Sequence, residues 1–265
     1  MRRAWLLAAG FASVFVGSAE EHRLDLRSRV ELFRGSDQWS EVHVEYAFNP
    51  AQSALIVCDM WDRHWCTGAN RRVAALVKKL EPVLEMARSK GIIIVHAPSE
   101  TMSYYANMPQ RERMLALPSF SPPEERNITS PPLPIDDSDG GCDTAGETEH
   151  RAWTCQHPGL KIAPEDYISD SGREIYNLLR SRGITTVFYT GVHTNMCILN
   201  RTFAIKQMTK WGVRCILLRD LTDAMYDPQD APHVSHERGT ELVVEYIEKY
   251  WTPTTVSDAL RRALQ

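Results

Sequence analysis

The chain has 265 residues, of which 43% are hydrophobic and 24% are charged, and its formal net charge is −4 at pH 7. This length and composition are typical of a globular protein with one sizeable α/β core. A pI near 6.1 and the lack of a long basic run exclude the electrostatic signature of a nucleic-acid-binding protein, so we expect a small-molecule substrate as partner and no nucleic acid.

The first stretch of the chain has the pattern of a secretory signal peptide. Two arginines precede an apolar run from Ala4 to Val16, and small residues follow up to Ala19. Because this run is short for a membrane span, we expect residues 1–19 to be cleaved and the protein to be exported, either periplasmic or secreted. After cleavage we expect no membrane contact. An uncleaved anchor or a misplaced start codon is the alternative.

The main domain is predicted over residues 53–265, after an N-terminal arm or strand at residues 20–52. Its first apolar run, Ser53–Cys58, predicts a buried strand that ends at Asp59. The carboxyl ends of parallel strands are where ligands bind in such sheets. Asp59 is therefore predicted at a functional edge.

A strand, helix and strand follow one another in the first half of this domain. Apolar spacing predicts a helix over residues 70–90, and the run Ile92–Val95 predicts a second buried strand. This order indicates a right-handed crossover and a parallel sheet. Prolines and an acidic, glycine-containing run argue against regular elements over residues 104–164, where Trp153 favours a packed lid.

Regular alternation resumes after the lid, and the fold class predicted is α/β with a central, mostly parallel sheet. The predicted elements are a helix at 174–182, a strand at 185–190, a helix at 195–211, a strand at 213–218, a helix at 238–250 and a short strand near 254–256.

The six cysteines contain no C-x-x-C pair, which gives no support to a redox motif or a zinc ribbon. Cys142 and Cys155 lie in the polar lid, where a disulfide between them would stabilise this loop of an exported protein. Cys58 and Cys215 lie within apolar strand runs and are predicted to be core residues.

Cys197 is the candidate nucleophile of the chain. The motif Gly191–Cys197 follows the predicted strand at 185–190 and leads into a predicted helix, which places the cysteine in a first helical turn. Free backbone N–H groups and the helix dipole favour a thiolate there, and the same groups could hold an oxyanion. A small buried cysteine on the apolar face of a crossover helix is the alternative.

Asp59 and Lys161 are the predicted partners of that thiol. Asp59 lies at the carboxyl end of a strand in the same sheet, where a carboxylate could move the proton to and from sulfur. An ammonium group would hold the thiolate. Between Lys90 and Lys206 the chain contains one lysine, Lys161, which is the lysine candidate, with a solvated loop charge as the alternative.

The run Ala54–Asp59 together with the motif Gly191–Cys197 resembles the isochorismatase-like cysteine hydrolases, which include nicotinamidases and N-carbamoylsarcosine amidohydrolase. The resemblance implies a three-layer α/β/α fold, a catalytic triad of Asp59, Lys161 and Cys197, and no cofactor. It also implies a cis peptide bond at Val192-His193, an oxyanion hole formed by the His193 and Cys197 N–H groups, and a possible homo-oligomer.

Aromatic and histidine side chains near the two strand ends are predicted to bind the substrate, and such walls suit a small flat or heterocyclic molecule. No metal site is predicted. The predicted substrate-binding residues are Trp61, His64, Trp65, His96, Tyr104 and Tyr105.

The predicted reaction is hydrolysis of an amide or related C–N bond through a thioester. Three alternatives stay open at this point. They are a metal-dependent hydrolase with Asp59, Asp62, His64 and His96 as ligands, an isochorismatase-type hydrolase of vinyl ethers, and a non-catalytic exported binding protein of the same fold.

Overall fold

One eight-stranded sheet forms the centre of a computed structural model that describes residues 21–265. The predicted signal peptide lies outside the described residues. The strands pair in the order β2-β1-β8-β7-β6-β3-β4-β5. Their bounds are β1 (His22–Glu31), β2 (Trp39–Phe48), β3 (Ser53–Cys58), β4 (Ile93–Ala97), β5 (Tyr167–Ile168), β6 (Thr186–Val192), β7 (Arg214–Asp223) and β8 (Thr254–Thr255).

Seven helices cover the two faces of the sheet within the described residues, and none of them is long and apolar enough to cross a membrane. Their bounds are α1 (Thr67–Ser89), α2 (Pro109–Leu115), α3 (Gly172–Ser181), α4 (Cys197–Asn200), α5 (Ile205–Lys210), α6 (His236–Tyr250) and α7 (Ser257–Ala263).

The strands alternate their side chains between two hydrophobic clusters, one on each face of the sheet. In β3, Ala54 and Ile56 pack into a cluster with α3, α5 and α6, whereas Leu55 and Val57 pack into a cluster with α1 and α7. All six residues of β3 are buried, which is why the strand is apolar along its whole length. The architecture is the predicted three-layer α/β/α arrangement.

The strands β3 and β6 lie side by side at the point where the order of the sheet reverses. From β3 the chain moves outward through β4 and β5, then returns to place β6 on the other side of β3. A crevice forms at the carboxyl ends of strands at such a reversal. The pair Cys58 and Gly191 is in register at this end, so the residues that follow β3 and β6 must meet.

The predicted arm is a β-hairpin. Its strands β1 and β2 pair antiparallel over ten residues each, and β1 also pairs antiparallel with β8. The six strands from β3 to β8 pair parallel with one another. The hairpin therefore extends the domain's own sheet at one edge.

The single helix predicted over residues 195–211 is wrong, because the chain forms α4 and α5 with an extended residue, Arg201, between them. The amino end of α3 packs against this break. A Cβ on Gly172 would lie 1.9 Å from the Thr202 carbonyl oxygen, and the Gly172 N–H donates to Thr202 Oγ1 at 3.0 Å. Such contacts between distant segments leave no periodic signal in the sequence.

The lid at residues 104–164 is mostly irregular, but it contains α2, which the proline content concealed. Pro109 is the first residue of that helix, where its missing N–H costs no hydrogen bond. Ile135 of the lid is buried in the same cluster as α3 and α6, and Trp153 stacks on Trp61 with ring centroids 4.2 Å apart. The lid is packed on the domain, as the embedded aromatic residues indicated.

Candidate active site

Asp59 follows β3 directly and lies fully buried at the carboxyl end of the sheet. Its backbone adopts a left-handed conformation, with φ of 47°. Its Oδ1 accepts a hydrogen bond from the Ser99 N–H at 2.7 Å, and its Oδ2 accepts one from Arg201 Nε at 2.9 Å. These two contacts fix the orientation of the carboxylate.

Cys197 is the first residue of α4, as the motif predicted, and its thiol lies beside the Asp59 carboxylate, whose pKa it lowers. Burial raises the pKa of the thiol, and the Asp59 charge raises it further, against the opposing effects of Arg201 and the His193 N–H. Burial also raises the pKa of Asp59, against Arg201, Cys197 and Ser99. The resting pair is therefore a neutral thiol beside a carboxylate with raised basicity.

Gly191 allows β6 to approach β3 closely enough for this placement of the thiol. Its φ is 108°, and a Cβ on it would lie only 2.0 Å from the Cys58 carbonyl oxygen. The pairing between β6 and β7 also shifts register between Tyr189 and Gly191. Only glycine fits this position.

The peptide bond between Val192 and His193 is cis, as the resemblance implied. The His193 N–H lies near the Cys197 sulfur and lowers the pKa of the thiol. Within residues 21–265, no protein oxygen accepts a hydrogen bond from the N–H of His193 or of Cys197. Both groups can therefore donate to an oxyanion formed at that sulfur.

Arg201 supplies the positive charge beside Asp59 and Cys197, and the sequence-based prediction missed it. Its guanidinium contacts the Asp59 carboxylate at 2.9 Å and the Glu100 carboxylate at 3.2 Å, and it lies over the Trp61 ring at 5.8 Å. Burial lowers the pKa of Arg201, but the charges of Asp59 and Cys197 more than offset this, so its pKa is raised. Its position four residues after Cys197 was the available signal, since that spacing shares one helical face.

The prediction for Lys161 requires correction. Its side chain is exposed and is not among the residues that line the site. Its backbone N–H donates to the Glu81 carboxylate at 3.0 Å, and its carbonyl accepts a hydrogen bond from Arg88 at 2.7 Å. The residue belongs to a surface loop that packs against α1, which is the loop alternative.

A cavity of about 590 Å³ opens above Cys197 and Arg201. Trp61, His64 and Trp65, which were predicted to bind substrate, all line it. Trp61, Trp153 and His64 have nearly parallel rings, with interplanar angles between 10° and 22°. The other lining residues are Glu100, Gly140, Glu149, His150, Arg151, His193, Met196 and Met225.

His96, Tyr104 and Tyr105 do not line this cavity, and their predicted role requires correction. His96 is fully buried, with one ring nitrogen 2.7 Å from Gln156 Oε1 and the other 2.9 Å from Asp166 Oδ2. Tyr105 is buried, and its hydroxyl accepts from the Gln156 N–H at 2.6 Å, whereas Tyr104 is 63% exposed. His96 thus holds the lid to the end of β4, and Tyr105 joins two segments of the lid.

The residues proposed as ligands in the metal-dependent alternative do not converge. His96 bonds Asp166 and Gln156, and the Asp62 carboxylate accepts from Thr154 at 2.7 Å and 2.9 Å. In the part of the chain from residue 21 onward, the group of potential ligands that converges is Cys66, Cys142 and Asp143. Because the first two of these share a disulfide, they cannot act as thiolate ligands.

The lid disulfide joins Cys142 to Cys66, with Cα atoms 5.7 Å apart, so the predicted bond between Cys142 and Cys155 is wrong. Cys155 is a free cysteine beside Asp62. Cys66 precedes α1 directly and neighbours the cavity residue Trp65. The disulfide therefore fastens the lid next to the cavity wall.

The chain is similar in structure to known hydrolases at low sequence identity. A cysteine hydrolase from Pseudomonas syringae pv. phaseolicola 1448A is 19% identical with a TM-score of 0.53, covering 82% of this chain and 94% of its own. A putative isochorismatase from Burkholderia xenovorans LB400 is 18% identical with a TM-score of 0.51, covering 81% and 88%. No protein-family model and no curated protein matches the chain. The similarity shows the isochorismatase-like α/β fold.

Proposed function

We propose that the protein is a cysteine hydrolase of the isochorismatase-like family, which cleaves an amide or related C–N bond of a small substrate through a thioester. The observation that carries the proposal is the placement of a thiol beside a buried carboxylate at the base of a cavity. A neighbouring arginine and two N–H groups free to donate complete the arrangement. Two of the structurally similar proteins carry the names cysteine hydrolase and putative isochorismatase.

The first step forms the bond between sulfur and the substrate carbonyl carbon. Asp59 takes the proton of the Cys197 thiol as the sulfur attacks, and the carbonyl oxygen gains the negative charge. The N–H groups of His193 and Cys197 stabilise that oxyanion, and one such donor typically lowers the barrier by ~3 kcal/mol. The raised pKa of Asp59 suits it to hold the transferred proton.

The second half of the reaction returns the enzyme to its starting state. As the C–N bond breaks, Asp59 gives its proton to the leaving nitrogen, which departs as an amine or ammonia. Water then attacks the thioester while Asp59 accepts one of its protons. When the C–S bond breaks, that proton returns to the Cys197 sulfur, and the acid product leaves.

Arg201 takes the place that a lysine was predicted to fill. Its guanidinium stabilises the ionised form of Asp59 and any negative charge on sulfur. Because a guanidinium does not lose its proton in proteins, Arg201 cannot take part in proton transfer. All proton movements therefore belong to Asp59.

Ammonia release from a panel of small primary amides tests this proposal. Wild-type protein should hydrolyse at least one amide, and Cys197→Ser and Asp59→Asn should each lower kcat by a factor of about 100 or more. Cys155→Ser is the matched control, since it removes another partly exposed thiol and should leave the rate unchanged. Full turnover by Cys197→Ser would rule out the thiol mechanism.

A further inference from the structure

Two side chains of the cavity wall, His193 and Trp153, each have a buried nitrogen atom that a ligand could bond. His193 lines the cavity and is 2% exposed, yet its Nε2 atom has no hydrogen-bond partner among residues 21–265. The indole Nε1 of Trp153, another lining residue, is also buried without a partner in the part of the chain that the structure describes. Leaving a buried polar atom without a partner is unfavourable, and a ligand that bonds this atom would remove that cost.

The two imidazoles of this wall are uncharged at neutral pH. Burial lowers the pKa of His64 to about 4, and nearby Arg72 lowers it further. Burial also lowers the pKa of His193, with added repulsion from His64, Arg72 and His236. His64 Nδ1 accepts a hydrogen bond from the Cys66 N–H at 3.1 Å, and its ring meets the His193 ring edge to face at 4.9 Å.

Arg201, the charged lining residue beside Asp59 and Cys197, already has carboxylate partners. The lining contains two acids, Glu100 and Glu149, and two arginines, Arg151 and Arg201. Arg201 is already paired with Asp59 and with Glu100. A charged group placed against the uncharged wall would lose hydration without gaining an opposite charge.

We propose that His193 is a specificity-determining residue for an uncharged, flat amide that carries a second hydrogen-bonding group. In this arrangement the amide carbonyl lies at Cys197 and the second group bonds His193 Nε2. The inference rests on the proposed function for the identity of the reacting bond. The inference adds that the substrate is uncharged and that His193 recognises it.

Five benzamides of similar size test the proposal by ammonia release. They are benzamide, 3-hydroxybenzamide, 4-hydroxybenzamide, 4-carbamoylbenzoate and 4-(aminomethyl)benzamide. A hydroxyl group both donates and accepts, so it satisfies either tautomer of His193. We expect at least one hydroxybenzamide to have a KM about tenfold below that of benzamide at similar kcat, and both charged compounds to be poorer than benzamide.

His193→Leu should abolish the advantage of the hydroxyl group, and His193→Gln should retain part of it. His43→Leu, on the outer hairpin and in none of the walls of the cavity, is the matched control and should behave as wild type. Equal KM values for benzamide and both hydroxybenzamides would overturn the proposal. So would an advantage that persists in His193→Leu, or preferred turnover of a charged compound.

Binding separates this proposal from the proposed function and does not depend on the folding of the His193 variants. In ¹⁵N-histidine-labelled Cys197→Ser protein, a hydroxybenzamide should shift the ring-nitrogen resonances of His193, and benzamide should shift them less. If wild type hydrolyses none of the benzamides and none of the small primary amides while this shift occurs, recognition by His193 stands and the hydrolase proposal fails. Absence of the shift with both hydroxybenzamides would overturn recognition by His193, even if amides are hydrolysed.

Discussion

Arg201 sets the basicity of Asp59 through one ion pair of 2.9 Å beneath the cavity. Burial raises the pKa of Asp59, and Arg201 is the largest opposing influence. Asp59 accepts the thiol proton only when it is ionised. Activity is therefore present at neutral pH and is lost as pH falls through the raised pKa of this carboxyl group.

Replacement of Arg201 tests that assignment. Arg201→Ala should raise the pKa of Asp59 further, move the acidic limb of the kcat/KM profile to higher pH, and lower kcat/KM at neutral pH by roughly 10- to 100-fold. Arg201→Lys should restore part of the activity and of the profile. Lys161→Ala is the control, and a loss of activity in this exposed-residue variant would return the lysine to the site.

His64 gives the fold a pH-dependent stability. Its pKa of about 4 in the native state lies below the ordinary value of 6.5, so below pH 6.5 the unfolded chain binds a proton that the native state excludes. The stability linked to neutral His64 is fully present above pH 6.5. It is lost as pH falls toward 4, which lowers the free energy of unfolding by up to about 3 kcal/mol. In urea unfolding between pH 7 and 4, the free energy of unfolding should fall less for His64→Gln than for wild type. Parallel pH dependences would show that His64 titrates normally.

The carboxyl end of β6 requires glycine at position 191. Gly191→Ala places a Cβ against the Cys58 carbonyl in a left-handed backbone, so we expect a loss of roughly 3 kcal/mol or more in the free energy of unfolding. Gly183→Ala is the matched control, since that glycine has a φ of 62° but open space around it. Its loss should be about 1 kcal/mol. Equal losses in the two variants would mean that the close contact with β3 is unimportant.

The lid depends on the disulfide between Cys66 and Cys142, which closes a separation of 76 residues. Cys142→Ser should lower the free energy of unfolding by about 2–5 kcal/mol and speed proteolysis within residues 117–150. Cys155→Ser, which removes a free thiol of the same lid, should change neither quantity. A stable, protease-resistant Cys142→Ser protein would show that packing alone holds the lid.

Elements with a strong local pattern could be predicted from the sequence, whereas those set by distant contacts could not. The apolar runs of β3, β4 and β6 identified strands because each is buried on both faces. The break between α4 and α5 depends on α3, which is brought there by the fold. The partner of Cys142 likewise depends on the approach of the lid to the start of α1.

At the level of the whole molecule, the order of the strands explains why Asp59 and Cys197 meet. Both were predictable because parallel strands end at a common edge, and the reversal between β3 and β6 places their ends together. The cation was not predictable by elimination among lysines, because Arg201 reaches the site from the chain that leaves α4. His193 Nε2 became a candidate only when the packing around it was known.

The central claim is that the Cys197 thiol, activated by Asp59, is the nucleophile. Iodoacetamide labelling of the Cys155→Ser protein, followed by peptide mass spectrometry and by ammonia release on the same samples, tests it most directly. We predict that Cys197 is alkylated before Cys58 and Cys215 and that activity declines at the rate of this labelling. Asp59→Asn should slow the alkylation of Cys197 at least tenfold. Retention of full activity by protein completely alkylated at Cys197 would contradict the account.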